Sequence, residues 1–372
     1  MSNRFSLIIL ITAFIISFVL LQIFFGNAKA TNFEELALGH ETSSFFYRYK
    51  DHPINISELD SLDKYVEGWK SRGSRNIILW LGNSQLHGIN QYKGGDNTST
   101  GYFYKHLMNA DYDLLSFSIP NANLQEHYLL FEYLKNILPV KKLIIGVCFD
   151  DLRENNIRDN LIPIIKKNRI RNLLILTATG KSIVNVDLTN PGNDDLAALN
   201  ETIQKYSERS LNNWLNDNWY LWNIRPEIRG QLFNDLYMLR NTVLNINPTS
   251  KRKMIKSNYN NNIEALKDIY LSAKESNIEV FTYILPIRQD VKIPYDLNEY
   301  KSFKIYLASL NVAQKDHLFN FENIIPSKYW GSKDATMFGK KDELDFMHFQ
   351  AAAHKILSDS LWNNINGYLK NN

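Results

Sequence analysis

The 372-residue chain holds a single cysteine, Cys148, so it can form no internal disulfide, no CxxC redox pair and no cysteine-based zinc site. Cys148 lies in an apolar run, where a small buried hydrophobe belongs. The chain also lacks an excess of either charge. Its 42 basic and 39 acidic residues give a net +3, and the signs are interspersed rather than gathered into a basic stripe, which argues against a nucleic-acid partner. There is no internal repeat and no stretch with the low hydrophobicity and high charge of disordered segments. With 44% hydrophobic residues, the chain can bury one sizeable core plus an appendage or a large insertion.

From Phe5 to Gly26 no residue is charged, and the run matches the roughly 20 residues that a helix needs to cross a bilayer. Arg4 precedes it, and Lys29, Glu34 and Glu35 follow. This bias points to a cytoplasmic N-terminus and places everything after residue 30 outside the cytoplasm. A cleaved signal peptide competes with this reading, because Ala28-Lys29-Ala30 fits a small-x-small cleavage site. The apolar run exceeds an ordinary signal-peptide core, so residues 1–30 are expected to be an uncleaved single-pass anchor. Either reading exports the remainder.

Residues 31–70 read as a polar extension, and residues 71–372 as the main domain. There, Asn76 to Leu81 is a short apolar run bounded by turn residues, as a fully buried strand would be. Similar runs recur at Leu114 to Ile119, Leu143 to Val147, Ile278 to Leu285 and Leu318 to Phe321. Helical spacing lies between them: Ile263, Leu266, Ile269, Tyr270 and Ala273 share one face, as do Ala353, Ile356, Leu357, Leu361, Ile365 and Leu369. Alternating strands and helices imply an α/β fold around a mainly parallel sheet covered on both faces. The alternation breaks at about 150–257, a span too long for a loop, which therefore reads as a helical insertion. It carries Trp214, Trp219, Tyr220 and Trp222.

Ligands of an open parallel sheet bind beyond the carboxyl ends of its strands. Gly82-Asn83-Ser84-Gln85 stands there, directly after the first strand. A serine starting the next helix would gain from the positive helix terminus, so Ser84 is the candidate nucleophile. It needs a base, and the base needs an orienting group. Asp345-Phe346-Met347-His348 offers both, because residues three apart in a helix-like turn share one side.

Together, GNSQ at 82–85 and DFMH at 345–348 resemble the signatures of the SGNH or GDSL hydrolase superfamily. The resemblance covers roughly residues 70–150 and 258–370. It implies a flavodoxin-like three-layer α/β/α sandwich and a catalytic set of Ser84, His348 and Asp345. It also implies an oxyanion hole, yet the family's glycine after the second strand and asparagine after the third are absent from Ser118-Ile119-Pro120-Asn121-Ala122-Asn123 and Gly146-Val147-Cys148-Phe149-Asp150. The implied substitutes are the backbone N–H groups of Ser84 and Ala122, with a side chain from Asn121 or Asn123. Anchor, insertion and variant oxyanion blocks are similar to membrane-bound proteins that O-acetylate polysaccharides or transfer D-alanine to lipoteichoic acid. The implied activity is acyl transfer or ester hydrolysis on a cell-surface polymer, beside a multi-pass membrane-bound O-acyltransferase. A generic esterase or lipase-like hydrolase, and an inactive scaffold binding a polymer or an acyltransferase, are the alternatives.

Each residue also has a plainer role. Ser84 suits a helix N-cap, Asp345 a solvated acid, and His348 a core or surface histidine. His87 is a rival base three residues after Ser84; a local interaction or a surface position is the plainer expectation, and His354 is expected to be structural. Asp150 and Asp151 lack the second ligand cluster of a metal site, so helix capping is expected of them, with no metal or cofactor. The tryptophans would stack on sugar rings or form the core of a small helical unit.

Overall fold

A computed structural model describes residues 12, 13, 16, 17, 41–108, 110–189, 203–314 and 317–369. The expected anchor over 1–30 lies almost wholly outside the described residues. Among the described residues no helix is long and apolar enough to cross a membrane. The described residues fall into two compact units, one within Glu41–Asn190, Pro248–Lys333 and Asp342–Asn372, the other within Pro191–Asn247 and Asp334–Lys341.

The larger unit contains strands β1 (Thr42–Ser44), β2 (Asn55–Ile56), β3 (Asn76–Gly82), β4 (Gly88–Asn90), β5 (Tyr112–Ser118), β6 (Val140–Val147), β7 (Glu279–Ile284), β8 (His317–Asn320), β9 (Trp330–Asp334) and β10 (Asp342–Phe349). Its longer helices are α1 (Leu62–Ser71), α2 (Ser99–Leu107), α3 (Leu124–Lys135), α4 (Lys256–Glu275), α5 (Leu297–Gln314) and α6 (Ala351–Ile365). Six strands form one parallel sheet in the order β8-β7-β6-β3-β5-β2. Apart from the edge strand β2, this is the doubly wound order 2-1-3-4-5, and its switch point lies between β3 and β6. Every residue of β3 after Asn76 is buried, because both faces are covered. Ile77, Leu79 and Leu81 point into a core with Leu130, Leu134, Leu266, Ile269 and Phe303. Their alternates Ile78 and Trp80 point into a second core with Phe103, Leu107, Leu357 and Leu361.

Three features depart from the sequence expectations. The stretch before residue 71 is part of the fold: Ile54, Ile56, Leu62 and Tyr65 are buried, and β2 pairs with β5. Its apolar groups come in twos and threes, too few to show a period. The span at 150–257 divides, because Leu161, Ile164, Ile165, Ile170 and Leu174 belong to the first core. A second sheet, β1-β4-β10-β9, flanks the site described below; its strands are short or polar and carry no continuous apolar run.

The smaller unit holds the helices Ile203–Asn218, Tyr220–Asn223 and Arg225–Val243. Asn241 Nδ2 donates to Thr336 O at 3.1 Å, and Thr242 Oγ1 accepts from Phe338 N at 2.8 Å, which ties Asp334–Lys341 to the last of these helices. Trp214 and Trp219 are 54% and 46% exposed, so they are not the core of this unit. Trp222 is half-buried, and the side chain of Tyr220 lies outside the described residues.

Candidate active site

Chain direction puts Ser84 at the carboxyl edge of the parallel sheet, two residues beyond the last paired position of β3, Gly82↔Ser118. Asn83 is extended, and its Oδ1 accepts from Gln85 N at 3.0 Å, closing a tight turn over Ser84–Leu86. That turn is three residues of 3-10 helix running into β4, not the first turn of a long helix. The expected help from a helix terminus is therefore missing, and local N–H groups are what the turn offers an anion.

Ser84 Oγ donates to His348 Nε2 at 2.9 Å, and His348 Nδ1 donates to Asp345 Oδ2 at 3.0 Å. The three side chains thus form one hydrogen-bonded chain, in the order of a nucleophile, a base and an orienting carboxylate. Asp345 and His348 lie on a strand, where residues three apart ordinarily face opposite sides. The Asp345 carboxylate overcomes this by folding back: its Oδ1 accepts from Met347 N at 2.8 Å and from His348 N at 3.0 Å, a local Asx-type turn. Burial raises the Asp345 pKa, but the adjacent His348 and these hydrogen bonds outweigh it and hold the group down at about 2. The carboxylate is ionised at neutral pH and 1% exposed.

Several orienting groups left no motif in the sequence. Asn90 Nδ2 on β4 donates to Asp345 Oδ2 at 3.1 Å and to Ser332 O at 2.8 Å, and Thr42 Oγ1 on β1 lies 3.5 Å from the same carboxylate oxygen. Arg288 Nη1, in the segment after β7, donates to Asp345 O at 3.1 Å and to Gly331 O at 2.6 Å. Two glycines make room. A Cβ on Gly331 would stand 1.6 Å from Asn90 Oδ1, and one on Gly88 would stand 2.7 Å from His348 Cδ2. The rival base is engaged elsewhere: His87 Nδ1 bonds Ser118 Oγ at 2.9 Å, its ring stacks on Phe46, and burial, aided by His348 and His354, lowers its pKa to about 3. His354 is held by Ser99 N at 3.1 Å and Gly88 O at 3.1 Å, a structural role.

No family model matches the chain, and no curated protein matches it. Among solved structures, it is similar to a chain from Bacteroides fragilis NCTC 9343 described as a "putative acylhydrolase". The identity is 11% and the TM-score 0.37, over 84% of this chain and all of that one.

The other expected oxyanion donors do not join the triad. The Ala122 N–H donates to Ile119 O at 3.2 Å. Asn123 caps α3: its Oδ1 accepts from Glu126 N at 3.0 Å and its Nδ2 donates to Asn156 O at 2.7 Å. Asn121 is exposed, with a backbone φ of 51°, and its carbonyl accepts from Arg158 Nη2 at 3.3 Å. Of the expected donors, this leaves the Ser84 N–H, beside the Ser84 hydroxyl, and the Asn121 side chain. Asp150 and Asp151 part company: Asp150 pairs with Arg252 and Tyr295, whereas Asp151 is buried and receives Asn83 Nδ2. Among the described residues no three His, Cys, Asp or Glu side chains converge on a metal-sized site.

Proposed function

We propose that the chain is a serine-dependent acyl-transfer enzyme of the SGNH or GDSL type, acting on esters of a cell-surface polysaccharide or related polymer. The unbroken run of hydrogen bonds from Ser84 Oγ through His348 to Asp345 carries this reading. Such a run does one kind of chemistry well. His348 Nε2 takes the hydroxyl proton as Ser84 Oγ attacks an acyl carbonyl, and the Asp345 carboxylate stabilises the imidazolium that results. The imidazolium then protonates the departing alkoxide, leaving the acyl group on Ser84. In the second half, His348 deprotonates an acceptor hydroxyl, or water, which attacks the acyl-serine and restores the enzyme.

The uncharged run from Phe5 to Gly26 supports single-pass anchoring with the catalytic unit outside the cytoplasm. A multi-pass O-acyltransferase as acyl donor belongs to the same proposal. Replacing Ser84 with alanine in the full chain should abolish acylation or deacylation of the polymer without changing the folded fraction. Unchanged modification would sink the proposal. Turnover of a simple aryl ester at rates rivalling the polymer would favour a generic hydrolase.

A second reading, a scaffold that binds a polymer or an acyltransferase without catalysis, rests on one observation. The Ala122 amide and the Asn123 side chain are already committed, so the tetrahedral intermediate would have few donors. Losing a single oxyanion donor costs on the order of 100-fold or more in rate.

A further inference from the structure

Asn83, immediately before the nucleophile, is 2% exposed, and both ends of its amide are assigned. Its Oδ1 accepts from Gln85 N and closes the turn that carries Ser84, while its Nδ2 sits 3.3 and 3.2 Å from the two carboxyl oxygens of Asp151. Asp151 is 3% exposed and lies past the end of β6, across the switch point from β3. Its Oδ2 also accepts from Cys148 N at 3.3 Å, so the carboxyl group is fastened to the β6 exit. Without Asp151, the Asn83 amide would lose the contact that fixes which of its ends faces Gln85.

We infer that Asp151 is a positioning residue for the proposed acyl transfer, fixing the Asn83 amide and through it the turn that presents Ser84 Oγ and the Ser84 N–H. The inference rests on Ser84 being the nucleophile. Asp151 does not touch His348 or Asp345 in any hydrogen bond among the described residues, so it acts only through Asn83. No cation faces it. The charged groups bearing on it are Asp150 and Glu154, both of its own sign, and burial is the main force acting on its proton. Burial and these neighbours push its pKa well above the usual carboxylate range.

An amide has the shape of the carboxyl group and can still accept from Asn83 Nδ2, whereas a methyl group cannot. The test is the rate at which a fluorophosphonate labels Ser84 in the full chain, measured as a saturation curve, for Asp151→Ala, Asp151→Asn and Asn83→Ala. A misplaced nucleophile costs about a hundredfold in rate, so Asp151→Ala and Asn83→Ala should each slow the saturating rate by about that much, with half-saturation little changed. Asp151→Asn should restore the rate to within about tenfold of the unsubstituted chain. Adding Asn83→Ala to Asp151→Ala should cost little more, because the two act as one unit. If Asp151→Ala does not fold, Asn83→Ala and Asp151→Asn alone carry the test. Unslowed labelling of Asp151→Ala, unslowed labelling of Asn83→Ala, or an Asp151→Asn chain as slow as Asn83→Ala would each overturn the inference. No adduct on the unsubstituted chain would instead overturn the nucleophile assignment, and this inference with it.

Discussion

Gly88 is the position at which a single methyl group should separate activity from folding. A Cβ there would meet His348 Cδ2 at 2.7 Å and the Ser84 carbonyl oxygen at 2.9 Å, against the 3.4 Å at which ordinary contact begins. The imidazole is the softer neighbour and would yield by about 0.7 Å. Taken along the Ser84 to His348 direction, that movement stretches the 2.9 Å hydrogen bond to about 3.6 Å, beyond useful range. Misplacement on this scale costs about 100-fold in rate, while overpacking one methyl costs about 1–3 kcal/mol of stability. Gly88→Ala should therefore slow Ser84 acylation by about two orders of magnitude at a temperature where it remains folded. Single-turnover acylation by an activated ester, read beside thermal unfolding, gives both quantities. A variant that acylates at the unsubstituted rate would refute the close approach of Gly88 to His348.

Other expectations follow from the same geometry. Asp345→Asn keeps the shape but removes the charge that orients and stabilises His348, and should lower kcat by about 10³–10⁴-fold; a smaller loss than tenfold would remove Asp345 from the triad. Arg288→Lys keeps the charge but loses the forked grip on Asp290 that aims Nη1 at Gly331 O and Asp345 O, and should cost more in kcat than in KM, which steady-state kinetics would resolve. His87, His127 and His354 are buried, and burial, the largest cause for each, lowers their pKa values to about 3, below the unfolded value of 6.5. Their contribution to stability is therefore complete above about pH 6.5 and is lost as pH falls toward 3, with a slope near 4 kcal/mol per pH unit if all three act (about 1.4 each). Urea midpoints from pH 7 to pH 4 would show it, and a flat profile would contradict it. Among the described residues neither ring nitrogen of His127 has a hydrogen-bond partner, so His127→Leu should stabilise the fold and reduce that slope by about a third; unfolding curves at pH 5 and pH 8 separate the outcomes.

The sheet was legible because its strands are short apolar runs, and β3, β5, β6, β7 and β8 fall within a few residues of the runs that announced them. The edge strand β2 was not, since two residues carry no period. Ser84, Asp345 and His348 stood out as motif residues, but the reason that Asp345 reaches His348 did not. A strand with an Asx-type turn and a helix-like turn both allow i and i+3 to meet, and spacing alone does not distinguish them. Asn90, Thr42 and Arg288 come from three separate segments and converge only in three dimensions. Gly88 and Gly331 offered the one signal available, glycines beside polar strand residues, whose meaning depends on which side chain approaches them. The oxyanion expectations failed for Ala122 and Asn123 because local turn and capping bonds, invisible in residue type, had already taken their donors.

The most direct test is fluorophosphonate labelling of the full chain, with the modified peptide identified by mass spectrometry. A single adduct should form on Ser84, disappear in His348→Ala and survive, far more slowly formed, in Asp345→Asn. An adduct elsewhere, or one on Ser84 formed equally fast without His348, would contradict it.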